Sequence, residues 1–172
     1  MTPEMIAKAR ENADKLSFNN VEFRQGDIEN IPIAANRADV IISNCVLNLV
    51  PDKLKAFQEM FRILKPGGHF SVSDIVLRGE LPEPLRKDAE MYSGCVSGAI
   101  QESDYLRMLS EVGFTNITVQ KARPVVLPDD ILSAYLTSDE IKAMNEKGQG
   151  IISTTVYGVK PVTECVPGGG CC

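Results

Sequence analysis

The chain has 172 residues, of which 44% are hydrophobic, and it carries 18 lysines and arginines against 23 aspartates and glutamates. This length and composition suit one globular domain with a real core, and no stretch approaches the ~20 apolar residues that span a bilayer. The net charge of −5, without a basic stripe, argues against nucleic acids and anionic membranes as partners, and the lack of a signal-peptide pattern predicts a cytoplasmic protein.

Helices and strands alternate along the sequence. Thr2 and Pro3 offer a hydroxyl N-cap and a proline at the first helical position, so the first helix is predicted to start there. Apolar periodicity and the positions of glycine and proline define the other elements. Helices are predicted at 2–17, 52–64, 82–93, 103–112 and 129–144, and strands at 21–24, 38–43, 70–76, 114–120 and 151–159.

This alternation predicts an α/β fold with a mainly parallel sheet and helices on both of its faces. The run 38–43 is mostly apolar, which is typical of a parallel strand that is covered on both faces. Residues 1–162 are expected to belong to this domain. Residues 163–172 carry three cysteines and three consecutive glycines, and they are expected to be a flexible tail.

Four motifs carry a resemblance to a known family. They are QGDIENIP at 25–32, ADVIISN at 38–44, LKPGG at 64–68 and VGF at 112–114. Each alone is weak, because a proline-glycine turn after a helix is common in α/β proteins, but the four in order resemble class I S-adenosylmethionine-dependent methyltransferases. The resemblance implies a Rossmann-like sheet with an antiparallel C-terminal edge pair, and S-adenosylmethionine as the cofactor. An unrelated doubly wound domain is the alternative.

The same resemblance implies three cofactor-binding residues. In open parallel sheets, ligands bind beyond the carboxyl ends of the strands. Asp27 follows a predicted strand, at a place where the resembled family has a carboxylate that accepts a hydrogen bond from the adenine amine, and Ile28 would pack on the adenine face. Asn44 ends the next strand, where the family places the methionine part of the cofactor. Without the motif, Asp27 would be interpreted as a turn or cap residue.

Two cysteines narrow the resemblance to arsenite methyltransferases. Cys45 lies in SNCV at 43–46 and Cys95 in YSGCVSGA at 92–99, and these segments look like the arsenic-binding segments of that family. The resemblance implies that Cys45 and Cys95 are the catalytic residues and that their soft thiolates bind As(III) in line with the methyl donor. The substrate would be a small arsenic compound, either free or as a thiol conjugate. For each cysteine alone, a buried structural role is the alternative.

The tail offers further thiols. Cys171 and Cys172 are adjacent and follow three glycines, with Cys165 a few residues upstream. This arrangement is similar to tails in the resembled family, and vicinal thiols could bind a soft metalloid such as As(III). A solvated tail without a function is the alternative.

The sequence departs from the family at its beginning. Family members open with a strand, a glycine-rich loop for the cofactor, a helix and a second strand, and a third arsenic-binding cysteine lies there too; the chain contains none of these. We therefore expect the C-terminal part of a longer enzyme, inactive alone, with Met1 either internal to a longer reading frame or the start of an expressed fragment. Its exposed sheet edge would be closed over or paired in a dimer.

Two other functions stay open at this point. A methyltransferase for a quinone or another small molecule would share the motifs at 25–32 and 64–68, but it would not explain Cys45 and Cys95 together. A non-catalytic module would bind As(III) or another soft metal through its thiols and transfer nothing, and the missing glycine loop favours it for this chain. The sequence leaves open the oligomeric state, the reductant and the number of methyl groups added.

Overall fold

The computed structural model describes residues 2–83, 85–87, 96 and 98–162. The helices are α1 (Pro3–Lys15), α2 (Lys53–Ile63), α3 (Glu102–Val112), α4 (Asp129–Ser133) and α5 (Ser138–Glu146), and a 3-10 turn covers Leu47–Leu49. The strands are β1 (Ala38–Asn44), β2 (Leu64–Arg78), β3 (Thr115–Pro124) and β4 (Gly150–Val159). In the described part of the chain, no helix is both long and apolar enough to cross a membrane.

Three helix ends follow directly from the local sequence. The Thr2 hydroxyl accepts a hydrogen bond from the Met5 N–H at 3.3 Å and caps α1, and the Asp52 carboxylate accepts one from the Lys55 N–H at 3.0 Å and caps α2. Helix α3 ends where Gly113 adopts a φ of 109°, a conformation that glycine reaches without a Cβ clash. The predicted start of α1 and end of α3 are confirmed.

The four strands form one sheet in the order β1-β2-β4-β3. β1 pairs with β2 in parallel, with Val40 opposite His69 and Asn44 opposite Ser73, and β4 pairs antiparallel with both β2 and β3. The α/β class and the antiparallel pair at the C-terminal edge are confirmed. Among the described residues one of the three pairings is parallel, so less of the sheet is parallel than the sequence analysis expects.

Apolar side chains pack on both faces of β2, because successive side chains of a strand point to opposite faces. On one face, Phe70 joins a core that includes Phe57 of α2 and Leu109 of α3. On the other face, Ile75 packs in a second cluster with Leu127, which follows β3. β2 is therefore packed on both of its faces, and its residues near Ser73 pair with the carboxyl end of β1.

β1 is an edge strand of the described sheet. Ile42 is 81% exposed and Val40 is 46% exposed. The expectation that both faces of this strand are covered is wrong for the described residues, because the apolar side chains of Val40 and Ile42 face away from the core. In addition, β1 pairs with another described strand along one of its two edges only. Pairing of two chains through an exposed edge stays a prediction.

The predicted strand at 21–24 is also wrong. The segment has no regular structure, since no strand in the described ranges offers it backbone hydrogen bonds. Its Arg24 side chain instead donates to the Pro32 carbonyl at 3.0 Å and pairs with Glu22. These side-chain contacts hold the segment as an irregular loop beside the turn that follows it.

Two helix predictions need correction or lie partly outside the described residues. The helix expected at 129–144 is two helices, because the Thr137 hydroxyl and the Glu140 carboxylate form a capping box that starts α5. In the helix expected at 82–93, residues 83 and 85–87 are helical, and residues 84 and 88–93 are outside the described ranges.

Candidate functional site

A cleft of about 1140 Å³ lies between two irregular segments. One segment begins within the strand that was predicted at 21–24, and the other follows β1. One wall comes from the loop between Glu22 and Ile33, and the other comes from the turn between Val46 and Pro51. Asp27 and Ile28 both line this cleft. The volume is sufficient for a cofactor-sized ligand.

Asp27 forms the tip of a tight turn on the cleft wall. Its carboxylate accepts a hydrogen bond from the Glu29 N–H at 2.9 Å, and its carbonyl accepts one from the Asn30 N–H at 3.0 Å. A Cβ at Gly26 would lie 2.4 Å from Pro32, so the turn closes tightly enough to require glycine there. Asp27 thus acts as a turn residue, and its exposed carboxylate still lines the cleft. The turn interpretation of this residue is confirmed, and cofactor binding by Asp27 stays a prediction.

Ile28 and Asn44 have different surroundings. Ile28 is half-buried, packs against the core beneath the sheet and also lines the cleft. Asn44 is exposed at the last position of β1, opposite Ser73 of β2. It lies at the carboxyl end of a parallel strand, as the sequence predicts, although it is not part of the cleft wall.

Cys45 makes a sharp exit from β1. Its φ of 55° is in the left-handed region, which is uncommon for a residue other than glycine, and its N–H donates to the Ser73 carbonyl at 2.8 Å. The chain then enters the 3-10 turn at Leu47. Because Val46 lines the cleft, the half-buried Cys45 is next in sequence to the cleft wall.

Gly98, three residues after Cys95, packs on the turn after Cys45. Cys95 itself is outside the described residues, but Val96 and Gly98 are described, and Val96 is fully buried. Gly98 lies so close to Asn48 that a Cβ on it would be 1.7 Å from the Asn48 carbonyl oxygen. The backbones of the two cysteine segments are therefore in direct contact, and only glycine fits at this point.

A buried carboxyl group lies beneath this contact. Asp74 of β2 is 1% exposed, and its carboxylate accepts a hydrogen bond from the Tyr105 hydroxyl at 2.9 Å. Burial raises the pKa of Asp74 to about 6, against the opposing effects of the Tyr105 hydrogen bond, the Lys53 charge and the Asn48 backbone. The Asn48 side-chain amide donates to the Ile75 carbonyl at 2.9 Å. This amide ties the turn after Cys45 to β2 beside Asp74.

Residues 1–113 match the model of a family described as a methyltransferase domain. The chain belongs to this methyltransferase family. Arsenite methyltransferases are among its relatives: one from Halobacterium salinarum is 37% identical over 164 residues, and one from Aquipseudomonas alcaligenes is 36% identical over 143 residues. These matches cover 95% and 79% of the chain, but 40% and 41% of the relatives. The chain thus spans less than half the length of these two relatives.

A solved structure supports the same assignment. An arsenic(III) S-adenosylmethionine methyltransferase from Chlamydomonas reinhardtii aligns with the chain at a TM-score of 0.72 and 28% identity, covering 96% of this chain and 55% of that one. The predicted Rossmann-like fold of class I methyltransferases is confirmed. S-adenosylmethionine, the cofactor expected from the sequence, is the cofactor of the family.

Two residues of α2 that hold the cleft loop are not recognisable from the sequence. Arg62 of α2 donates to the carbonyls of Ile31 at 2.9 Å and Ile33 at 2.8 Å, and Glu59 accepts from the Ile31 N–H at 2.7 Å. Arg62 and Glu59 also pair with each other at 2.7 Å, which lowers the pKa of Glu59. In the sequence these two residues look like an ordinary surface pair at i,i+3 spacing, which gives no sign of the loop that they bind.

The tail of the chain, with Cys171 and Cys172, lies outside the described residues. The predictions of arsenic binding by those two thiols and by Cys95 therefore stay predictions.

Proposed function

We propose that this chain is the arsenic-binding part of an arsenite methyltransferase, an enzyme that transfers a methyl group from S-adenosylmethionine to trivalent arsenic. One observation carries the proposal, namely the contact between Gly98 and the Asn48 carbonyl. Asn48 is three residues after Cys45, and Gly98 is three residues after Cys95. This contact lies three residues from each cysteine, and it supports the proposal that the Cys45 and Cys95 thiols bind one small ligand.

The chemistry of two neighbouring thiols suits trivalent arsenic. Soft thiolates bind soft, thiophilic ions in preference to hard ones. When arsenous acid binds, each thiol gives its proton to a departing hydroxide, so two As–S bonds form, two As–O bonds break and two water molecules leave. The arsenic keeps its oxidation state and its lone pair, which is the nucleophile that methylation requires. Cys45 and Cys95 are then catalytic residues, since they hold the reacting atom.

The cleft beside Cys45 fits the adenine end of S-adenosylmethionine, which supplies the methyl group. The exposed Asp27 carboxylate can accept from an exocyclic amine, and Ile28 and Val46 offer apolar contacts for a ring. Leu49 on the opposite wall is 65% exposed and offers a further apolar surface to a ligand in the cleft. We propose that Asp27 and Ile28 bind the cofactor there, with Asn44 nearer to the arsenic.

The relatives named arsenite methyltransferases support this substrate. A quinone methyltransferase would use the same cleft, but it would have no need for two cysteine segments packed against each other. The two-thiol arrangement therefore favours arsenic over a quinone or another carbon or oxygen acceptor.

Titration of the full chain with phenylarsine oxide tests the proposal. The tail cysteines are first changed to serine (Cys165→Ser, Cys171→Ser and Cys172→Ser), so that Cys45 and Cys95 are the remaining thiols. Calorimetry is expected to give one equivalent bound, a large loss of affinity in either Cys45→Ser or Cys95→Ser, and little further loss in the double variant. Binding of normal strength in either single variant would contradict the proposed site.

A further inference from the structure

Lys53 is a buried cation that the proposed chemistry does not use. It is 9% exposed, although lysine is almost never buried without a partner. It is also the first residue of α2, where the positive end of the helix dipole disfavours a cation. Burial lowers its pKa. Two physical preferences are broken at one position, which calls for a reason in the surrounding structure.

The Lys53 ammonium binds the turn that follows Cys45. Its Nζ donates to the carbonyls of Asn48 and Val50, each at 3.3 Å. A lysine has three donors and a long stem, so it can reach back from the helix and hold two carbonyls of the turn. The turn after Cys45 is therefore fixed by a side chain from α2 as well as by the Asn48 amide bond to β2.

The same ammonium lies against the segment that contains Cys95. A Cβ on Gly98 would be 3.3 Å from Lys53 Nζ, as well as 1.7 Å from the Asn48 oxygen that this Nζ binds. Lys53, the Asn48 carbonyl and Gly98 thus form a single contact. The cation sits where the two cysteine segments touch.

Asp74 supplies the opposite charge. It is buried on β2, is held by the Tyr105 hydroxyl, and attracts Lys53 electrostatically. Its Oδ1 atom has no hydrogen-bond partner among the residues that the structure describes. The Lys53 charge favours the ionised form of Asp74, and the Asp74 charge favours the ionised form of Lys53, so each buried group stabilises the charge of the other.

We propose that Lys53, with Asp74 as its counter-charge, is a positioning residue that holds the Cys45 and Cys95 segments together so that both thiols bind one arsenic atom. This inference rests on the proposed function. Lys53 does not touch the arsenic; it binds the backbone that carries the thiols. Without the ammonium, the turn and the Gly98 segment are free to separate, and each thiol binds arsenic alone.

The test compares Lys53→Met with a core variant of similar stability loss. Lys53→Met keeps an unbranched apolar stem and removes the donors, and Val156→Ala truncates a buried side chain on β4, which β2 separates from β1. Both are made in the full chain with the three tail cysteines changed to serine. The readouts are the dissociation constant for phenylarsine oxide, the number of thiols that stay reactive after one equivalent, and the melting temperature.

Lys53→Met is expected to weaken binding at least tenfold and to leave one thiol reactive, whereas Val156→Ala keeps the parent affinity with both thiols protected. Asp74→Asn, which retains an acceptor for Tyr105, is expected to weaken binding in the same direction and serves if Lys53→Met does not fold. Parent-like affinity in a folded Lys53→Met or Asp74→Asn chain overturns the inference, as does an equal loss in Val156→Ala. Failure of the parent chain to protect two thiols overturns the proposed function instead.

Discussion

Substitution of Gly98 by alanine isolates the contact on which the proposed arsenic site depends. The new methyl group would lie 1.7 Å from the Asn48 carbonyl oxygen and 2.8 Å from its carbon. Since non-bonded heavy atoms settle at about 3.5 Å, the two backbones must separate by roughly 1–2 Å. Both neighbours are backbone, so neither can turn aside as a flexible side chain would. Overpacking of this kind costs about 1–3 kcal/mol of folding stability.

The consequence for arsenic binding is larger than the loss of stability. If two thiols share one arsenic atom, the second As–S bond is formed within the complex and benefits from a high effective concentration. Loss of the second bond is expected to lower the affinity for phenylarsine oxide by roughly 10²–10⁴-fold. Calorimetry in the background without tail cysteines measures this change, and urea unfolding measures the stability.

Gly148→Ala is the matched control. Gly148 has a φ of 61° and no atom within 4 Å of the added Cβ, so the substitution introduces backbone strain of about 1–2 kcal/mol without a steric clash. The control is expected to bind phenylarsine oxide with unchanged affinity. The reasoning fails if Gly98→Ala retains the parent affinity, or if Gly148→Ala loses affinity to the same extent.

Three further predictions concern the buried carboxyl group and the cleft. Because the folded-state pKa of Asp74 is raised to about 6 from 3.8, its protonated form favours folding, so stability should fall by about 2 kcal/mol as the pH rises from 4 to 7. Urea unfolding across this range should show the decline in the parent chain, and a parallel decline in Asp74→Asn would refute the assignment. Arg62→Met should destabilise the cleft loop by about 1–3 kcal/mol, whereas Arg107→Met, which removes exposed pairs only, should change stability by less than about 1 kcal/mol; equal losses in urea unfolding would contradict this role. The 172-residue chain should bind S-adenosylmethionine with a dissociation constant above about 1 μM, because it contains no glycine-rich loop after a strand. Asp27→Asn should weaken that binding further. A submicromolar dissociation constant from calorimetry, or no effect of Asp27→Asn, would be inconsistent with the proposed cofactor site.

Local signals in the sequence predicted the framework of the fold well. The N-cap at Thr2 and the left-handed glycine at 113 depend on a few neighbouring residues, and such signals hold in any tertiary context. The strand predicted at 21–24 failed because a strand needs partners, and alternation of side chains alone does not supply them. The apolar run 38–43 indicated a strand correctly, but it could not reveal that one side of this strand is exposed.

The site was predictable only in part for the same reason. Cys45 directly follows β1, and Asp27 lies in a turn that belongs to the motif at 25–32. Their place near one end of the sheet could therefore be inferred from the sequence. Lys53 and Gly98 could not be found this way. Lys53 follows Pro-Asp at the start of a helix, where a lysine side chain is expected to be exposed to solvent. Gly98 lies in a loop, where a glycine is expected to serve as a turn residue. Their roles arise from a contact between segments nearly fifty residues apart in the sequence.

Arsenic K-edge X-ray absorption of the full chain tests the central claim most directly. The sample is the variant in which Cys165, Cys171 and Cys172 are serine, with one equivalent of arsenite. The account predicts two sulfur atoms in the first coordination shell of arsenic, falling to one in Cys45→Ser and in Cys95→Ser. A shell of oxygen atoms alone in the parent sample, or two sulfur atoms retained in the Cys45→Ser sample, would contradict it.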